Sequence, residues 1–166
     1  LTLRVNEQLA NVTLPSDAVL TTSALTGQLG IGPDGRFDAD SKVTIDLSTL
    51  ESDDPDRDDD IKENYLETKK FRDGFFVPKE LRGLPSPAPA SGPIRGQLVG
   101  DLTIHGVTKP VTFEVDGTLD GGTFKGTAKT EVKITDFGMK VPTLALLLRV
   151  EDRVRTQLDL VAAEQR

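Results

Sequence analysis

A length of 166 residues suits one domain with a sizeable core, and a formal charge of -7 excludes a nucleic-acid binder, whose phosphates select clustered Lys and Arg. The same charge argues against adsorption to an anionic membrane surface. No apolar run is long enough to span a bilayer, the densest being residues 144–148, and without cysteine the fold owes nothing to disulfides or thiolate metal sites.

From the start of the chain, Leu1, Leu3 and Val5 alternate with Thr2, Arg4 and Asn6, which predicts a strand. Residues 7–20 are less regular, and Leu9, Val12 and Leu14 suit a short helical or irregular segment that Pro15 ends. Residues 23–31 read as a strand with Leu25, Gly27, Leu29 and Ile31 on one parity, followed by a turn at Gly32-Pro33-Asp34-Gly35. Phe37 opens the return, in which Val43, Ile45 and Leu47 alternate with Thr44, Asp46 and Ser48.

The acidic run from Glu51 to Asp60 has the hard oxygen donors that calcium takes. Its spacing lacks the glycine and the downstream Glu of an EF-hand, so a solvated loop leading into a helix N-terminus is favoured. Ile61, Tyr65 and Leu66 then fit one short amphipathic helix. Residues 71–81 return to strand character with Phe75 and Val77 on one side, and the Pro-rich residues 83–93 form a loop within the same domain.

Residues 97–119 carry the clearest hairpin. Leu98, Leu102 and Ile104 share a parity, and after a break at residues 105–110 Val111, Phe113 and Val115 share another. Pro110 is expected at the first position of the returning strand, because it cannot donate to a ladder. Gly121-Gly122 predicts a tight turn, after which Phe124, Gly126, Ala128, Thr130, Val132 and Ile134 alternate with Lys125, Thr127, Lys129, Glu131 and Lys133. Asp136-Phe137-Gly138-Met139 breaks this strand, and residues 144–150 and 154–161 finish the chain around a polar turn at Glu151-Asp152-Arg153.

Many short strands with one helical insertion predict a single all-β domain over residues 1–166, a sandwich or barrel. Small inward residues (Gly27, Gly100, Gly126, Ala128, Thr130) among larger apolar ones are expected to leave space for an elongated ligand. His105 is the only histidine. With no second histidine, cysteine or Gly-x-Ser-x-Gly elbow to supply a nucleophile, it reads as a turn residue rather than a catalyst, and no metal site or cofactor is expected. Arg57 beside Asp58 has two readings: a tie between the loop and a strand end, which is favoured, and a contact to a polar or phosphorylated ligand head.

Three stretches resemble the YceI-like polyisoprenoid-binding family. The most specific is GDLTIHGVTKPVTFEV, from Gly100 to Val115. The second is Asp46-Leu47-Ser48-Thr49-Leu50, then Arg57-Asp58, Tyr65-Leu66 and Lys70-Phe71; the third is Ile134 with Asp136-Phe137-Gly138-Met139, then Val150-Glu151-Asp152 and Val154. Arg72 departs from the family pattern, where a proline is common, and the loop at residues 84–93 is longer than usual.

The resemblance implies an extended eight-stranded antiparallel lipocalin-like barrel with one short helix after the fourth strand region. It also implies a non-enzymatic function: binding, sequestering or transporting a polyisoprenoid or isoprenoid-quinone-type lipid in the lumen. The expected lining is Leu29, Ile45, Phe75, Leu98, Leu102 and Ile104 from the first two thirds of the chain. Phe113, Val115, Phe124, Gly126, Ala128, Val132, Leu146, Leu148 and Leu158 complete it. Export to the periplasm or cell envelope, with a signal peptide removed before Leu1, belongs to the same expectation. The alternative is an envelope interaction module whose barrel is filled by its own side chains. The 144–148 run is the candidate surface for a homodimer or an envelope-complex partner.

Overall fold

The computed structural model of the chain describes residues 1–10, 14–32, 34–85, 89–143 and 147–163, without the side chains of Leu9, Leu147 and Leu148. Nine strands form one antiparallel sheet: β1 (Thr2–Leu9), β2 (Ser16–Thr21), β3 (Leu25–Gln28), β4 (Lys42–Asp46), β5 (Asp73–Arg82), β6 (Gly92–Ile104), β7 (Val107–Asp120), β8 (Thr123–Lys133) and β9 (Leu147–Ala163). Their spatial order is β2-β1-β9-β8-β7-β6-β5-β4-β3. The sheet curls into a half-barrel, all-β as expected but with nine strands rather than eight.

The added strand is β2, where the sequence suggests an irregular or helical segment. Only Ala18 and Leu20 mark its inner face, yet they lie opposite Val5 and Leu3 of β1, so pairing supplies the burial that a two-residue pattern could not announce. β3 is shorter than the sequence suggests. Leu29 and Ile31 fall beyond it and stay 42% and 47% exposed. The end strands β2 and β3 are not ladder neighbours, and Thr21 on β2 is bridged instead to Glu51, with Thr21 N donating to Glu51 O at 2.8 Å.

The long hairpins place the interior. Residues directly opposite on neighbouring strands share a face, so Gly96, Val115, Ala128 and Leu158 form one inward row across β6–β9. Leu98 with Phe113 and Phe76 with Leu102 form the next rows. β6 and β7 turn through His105 and Gly106 alone, both at positive φ (52° and 72°), the two-residue turn whose twist matches antiparallel strands. β7 therefore starts at Val107 and Pro110 is its fourth residue, not its first. β8 pairs only from Glu114 onward, so Pro110 lies on a stretch laddered on one side, where a missing N–H is tolerated.

The acidic run forms the entrance to α1 (Pro55–Asp60). Asp54 caps it, accepting from the backbone N–H groups of Asp56 and Arg57 at 3.1 and 3.2 Å. Asp58 is buried and accepts from Ser52 N and Ser52 Oγ, while Asp60 accepts from Asn64. α1 runs into a π-helical turn at Ile61–Tyr65, and Ile61 and Leu66 pack on Leu20, Ile45, Leu47 and Leu50.

Candidate functional site

The curled sheet has two unlike ends. At one, the α1 segment lies across the opening through three ties of different chemistry. Arg57 reaches Glu7 on β1 at 3.6 Å, Tyr65 Oη accepts from Thr143 N at 3.1 Å, and Glu67 hydrogen-bonds His105 Nε2 at 2.5 Å. Phe71 stacks at a tilt on the His105 ring, centroids 4.5 Å apart. Below them Phe137, in a 3₁₀ turn at Thr135–Phe137, is 1% exposed and closes the floor.

At the other end lie the Gly121-Gly122 turn, the loop after β5 and the segment between β3 and β4. Inward-facing apolar side chains there are only partly covered: Leu81, Leu98, Phe124 and Leu160 pack on the core without being buried by it. Exposed Leu29 and Ile31 lie on the segment that follows β3. β1 accompanies β9 only as far as Gln157, so residues 158–163 are laddered to β8 alone. The interior is thus closed at the helical end and apolar and accessible at the other.

Most of the expected lining comes together. Leu102, Phe113, Val115, Ala128 and Leu158 belong to one buried cluster, with Leu98, Ile104, Phe124 and Val132 packed against it. Ile45 belongs to a second cluster with Leu20, Leu47 and Leu50. Gly126 faces inward opposite Gly117. Leu146 lies outside the described residues, as does the side chain of Leu148.

Two expected lining residues are elsewhere. Phe75 points outward, its ring beneath Lys42 Nζ at 3.8 Å, and Phe76 takes the inward place, edge-on to Phe113 with centroids 5.1 Å apart. Two adjacent aromatics leave the parity of a strand undecided, and the alternation settled on the wrong one. Leu29 is not in a strand at all. Arg57 is committed to Glu7 and to Asp53 (3.1 Å), which is the loop-to-strand tie rather than a head-group contact.

The inward glycines are not open space. A Cβ on Gly100 would come within 2.5 Å of the Phe76 ring, and one on Gly117 or Gly126 within 2.7 Å of the Phe124 ring. The Phe76 ring covers Gly100 of the neighbouring strand, and the Phe124 ring covers Gly117 of the neighbouring strand and Gly126 of its own, a device that restores packing where the sheet coils tightly.

Two depressions mark the outer surface, and none of the expected lining lies in either. One, of about 580 Å³, sits at the seam between β2 and β3 among Thr2, Thr21, Thr22, Thr49 and Glu51. The other involves β1, β8 and β9. No group of three or more His, Asp or Glu among the described residues could hold a metal ion.

The end of β4 is tied by charge to the segment that leads into β5. Arg72 donates to Asp46 Oδ2 from Nε and Nη2 at 3.1 and 2.7 Å, and this hydrogen bonding holds the Asp46 carboxyl down at about 2. Ser48 N adds a further donor. A depressed carboxyl stabilises the fold above its unfolded value and loses that contribution as pH falls through the folded one. Asp46→Asn is therefore expected to melt below the wild type at pH 7, the gap closing between roughly pH 4 and pH 2. Thermal melts across that range check it.

The architecture defines a class: an antiparallel half-barrel with an apolar interior, closed at one end by a helical segment. Residues 4–162 match the YceI-like domain, and the chain belongs to that family. A UPF0312 protein of Pseudomonas fluorescens is 36% identical over 124 residues, which are 66% of this chain and 61% of that protein. The chain thus matches about three fifths of that relative's length.

Among solved structures, the YceI protein of Campylobacter jejuni superposes with a TM-score of 0.72 at 18% identity, covering 96% of this chain and 91% of that one. A polyisoprenoid-binding domain from Saccharophagus degradans gives 0.69 at 14% identity, covering 98% and 94%. At such identities the likeness concerns the fold.

Proposed function

We propose that the protein binds a long apolar lipid of the polyisoprenoid class inside the half-barrel, as a non-enzymatic carrier or store. The observation that carries this reading is the row of inward apolar side chains left half-covered at one end (Leu81, Leu98, Phe124, Leu160), in a chain of the YceI-like family. A domain of the same fold is described as polyisoprenoid-binding. The driving force is transfer of hydrocarbon out of water, about 0.8 kcal/mol per CH₂. Because the free lipid resides in a membrane rather than in water, net affinity is modest, which suits a protein that must release its cargo. His105 acts here as a structural tie to Glu67. Export to the periplasm or cell envelope belongs to the same proposal.

The test is organic extraction of protein purified from its native host, followed by mass spectrometry. A stoichiometric isoprenoid is expected, and an empty extract counts against the reading. Leu160→Trp, at the accessible end, is expected to reduce the extracted lipid several-fold while costing roughly 1–3 kcal/mol of stability. An unchanged lipid load in a folded variant would place the cargo elsewhere. The alternative, an interaction module with a self-filled barrel, draws on the Phe76 and Phe124 rings that cover the inward glycines. It predicts an empty extract.

A further inference from the structure

Exchange of such a cargo with membranes, which rests on the proposed function, calls for a docking surface, and the outside of the sheet supplies independent evidence of one. The outward rows of β8, β9 and β1 bring together residues from both ends of the chain. Lys125 lies beside Val161, and Lys129 beside Gln157. Glu131 lies beside Arg155, which faces Arg4, and Lys133 lies beside Arg153.

Over the stretch where β8 pairs with β9, from Thr123 opposite Ala163 to Lys133 opposite Arg153, and on β1 beside it, six cations (Arg4, Lys125, Lys129, Lys133, Arg153, Arg155) share the outward face with two carboxylates, Glu131 and Asp159. Glu131 is engaged by Arg153 at 2.9 Å, and Arg155 by Asp17 of β2 at 2.6 Å. Lys125, Lys129 and Lys133 enter no ion pair among the described residues and spread along about 27 Å of strand. Between the rows a depression of about 320 Å³ is flanked by Arg4, Lys129, Arg155 and Gln157, with Thr130 and Thr156.

Next to this band, β7 turns Glu114 and Asp116 outward, so the sign changes within one strand spacing. A chain of charge -7 with 20 Lys and Arg thus carries six of them on one face where they outnumber the carboxylates. Val161 stands among them, 73% exposed and opposite Lys125.

We infer that the outward face of β8, β9 and β1 docks on an anionic lipid bilayer. Lys side chains are compact charges on flexible stems and suit a fluid layer of head groups better than a fixed partner. The depression accommodates a head-group phosphate against Arg4 and Lys129, and Val161 reaches toward the acyl boundary. Docking on this face brings the half-laddered residues 158–163 of β9, at the accessible end of the interior, against the bilayer. The net charge counted along the sequence masks this surface, because Arg4 joins the β8 lysines only through the β1–β9 pairing.

The test is flotation with vesicles of neutral phosphatidylcholine, alone or with about one third phosphatidylglycerol, since each basic side chain near an anionic surface adds about five-fold to partitioning. The wild type is expected to float with the anionic vesicles only, and to be released near 1 M salt, where screening is confined to about 3 Å. Lys125→Glu/Lys129→Glu is expected to lose binding at least about thirty-fold. Lys79→Glu/Lys109→Glu, with the same change in net charge on β5 and the β7 tip, should retain it.

Absence of wild-type binding to anionic vesicles, or equal loss in both double variants, overturns the docking face, as does equal binding to neutral vesicles. Extraction and mass spectrometry of the same samples separate the two proposals. Bound isoprenoid without flotation leaves the carrier standing and removes the docking face. Flotation specific to the β8 lysines from an empty protein does the reverse.

Discussion

Phe113→Ala is expected to lower stability by about 3–5 kcal/mol, which at this size corresponds to a fall in Tm of roughly 6–20 °C. Phe113 is 2% exposed, stands edge-on to Phe76, and lies opposite Leu98 in the middle of the longest hairpin. Its ring joins β5 to β6–β7 across the curl, so truncation opens a cavity bordered by three strands that neighbouring ladders hold apart. Calorimetric or chemical unfolding measures it. A loss below about 1 kcal/mol would mean that the interior collapses freely, and that the half-barrel is not held open by its walls.

Gly126→Leu is expected to abolish the native packing of β7 and β8 rather than merely narrow the lumen. A Cβ at this position comes within 2.5 Å of Asp116 O and 2.6 Å of Gly117 Cα, and these are backbone atoms of the paired strand. Side chains elsewhere can rotate away from an added methylene, but a ladder backbone cannot. The cost therefore exceeds the usual 1–3 kcal/mol of overpacking. Loss of the soluble folded form, or a broadened β-region circular dichroism melt, is the expected readout; a variant with wild-type Tm would show that β7 and β8 separate easily there. The same geometry makes Leu160, not Gly126, the position at which to obstruct ligand uptake.

The hairpins of β6, β7 and β8 were legible, whereas the polar turn expected at Glu151-Asp152-Arg153 is absent: β9 runs unbroken from Leu147 to Ala163, and Arg153 is laddered to Lys133, since pairing with β8 overrides the polar run. In β6, β7 and β8 the alternation is long, and His105-Gly106 and Gly121-Gly122 mark the reversals with residues that accept positive φ. β2 escaped because its inner face carries only Ala18 and Leu20, directly after a proline. Its existence depends on β1 and not on its own pattern. Phe75 and Phe76 show the complementary failure, in which strand character is plain and the face is not. The filling of Gly100, Gly117 and Gly126 by rings was illegible for another reason. For Gly100 and Gly117 the ring comes from an adjacent strand, and for Gly126 it comes from Phe124 two residues back on the same strand; periodicity gives the face of a residue and not the direction in which its ring leans.

The site followed the same division. The central lining (Leu102, Phe113, Val115, Ala128, Leu158) is a property of the clean hairpins and was readable. The helical cover is not. Glu67 and His105, the only described non-glycine residues at positive φ, are separated by 38 positions yet hydrogen-bonded to each other. Arg57 finds Glu7 across a similarly large separation.

The pairing of β1 with β9, from Thr2 opposite Gln157 to Leu9 opposite Leu147, has a consequence for how the chain acquires its shape. Strands separated by nearly the whole polypeptide must find each other, so assembly is governed by a late, entropically costly closure. During synthesis β1 has only β2 beside it until β9 emerges. Refolding is accordingly expected to be slow, with the β6–β8 meander ordered before β1 and β9 meet.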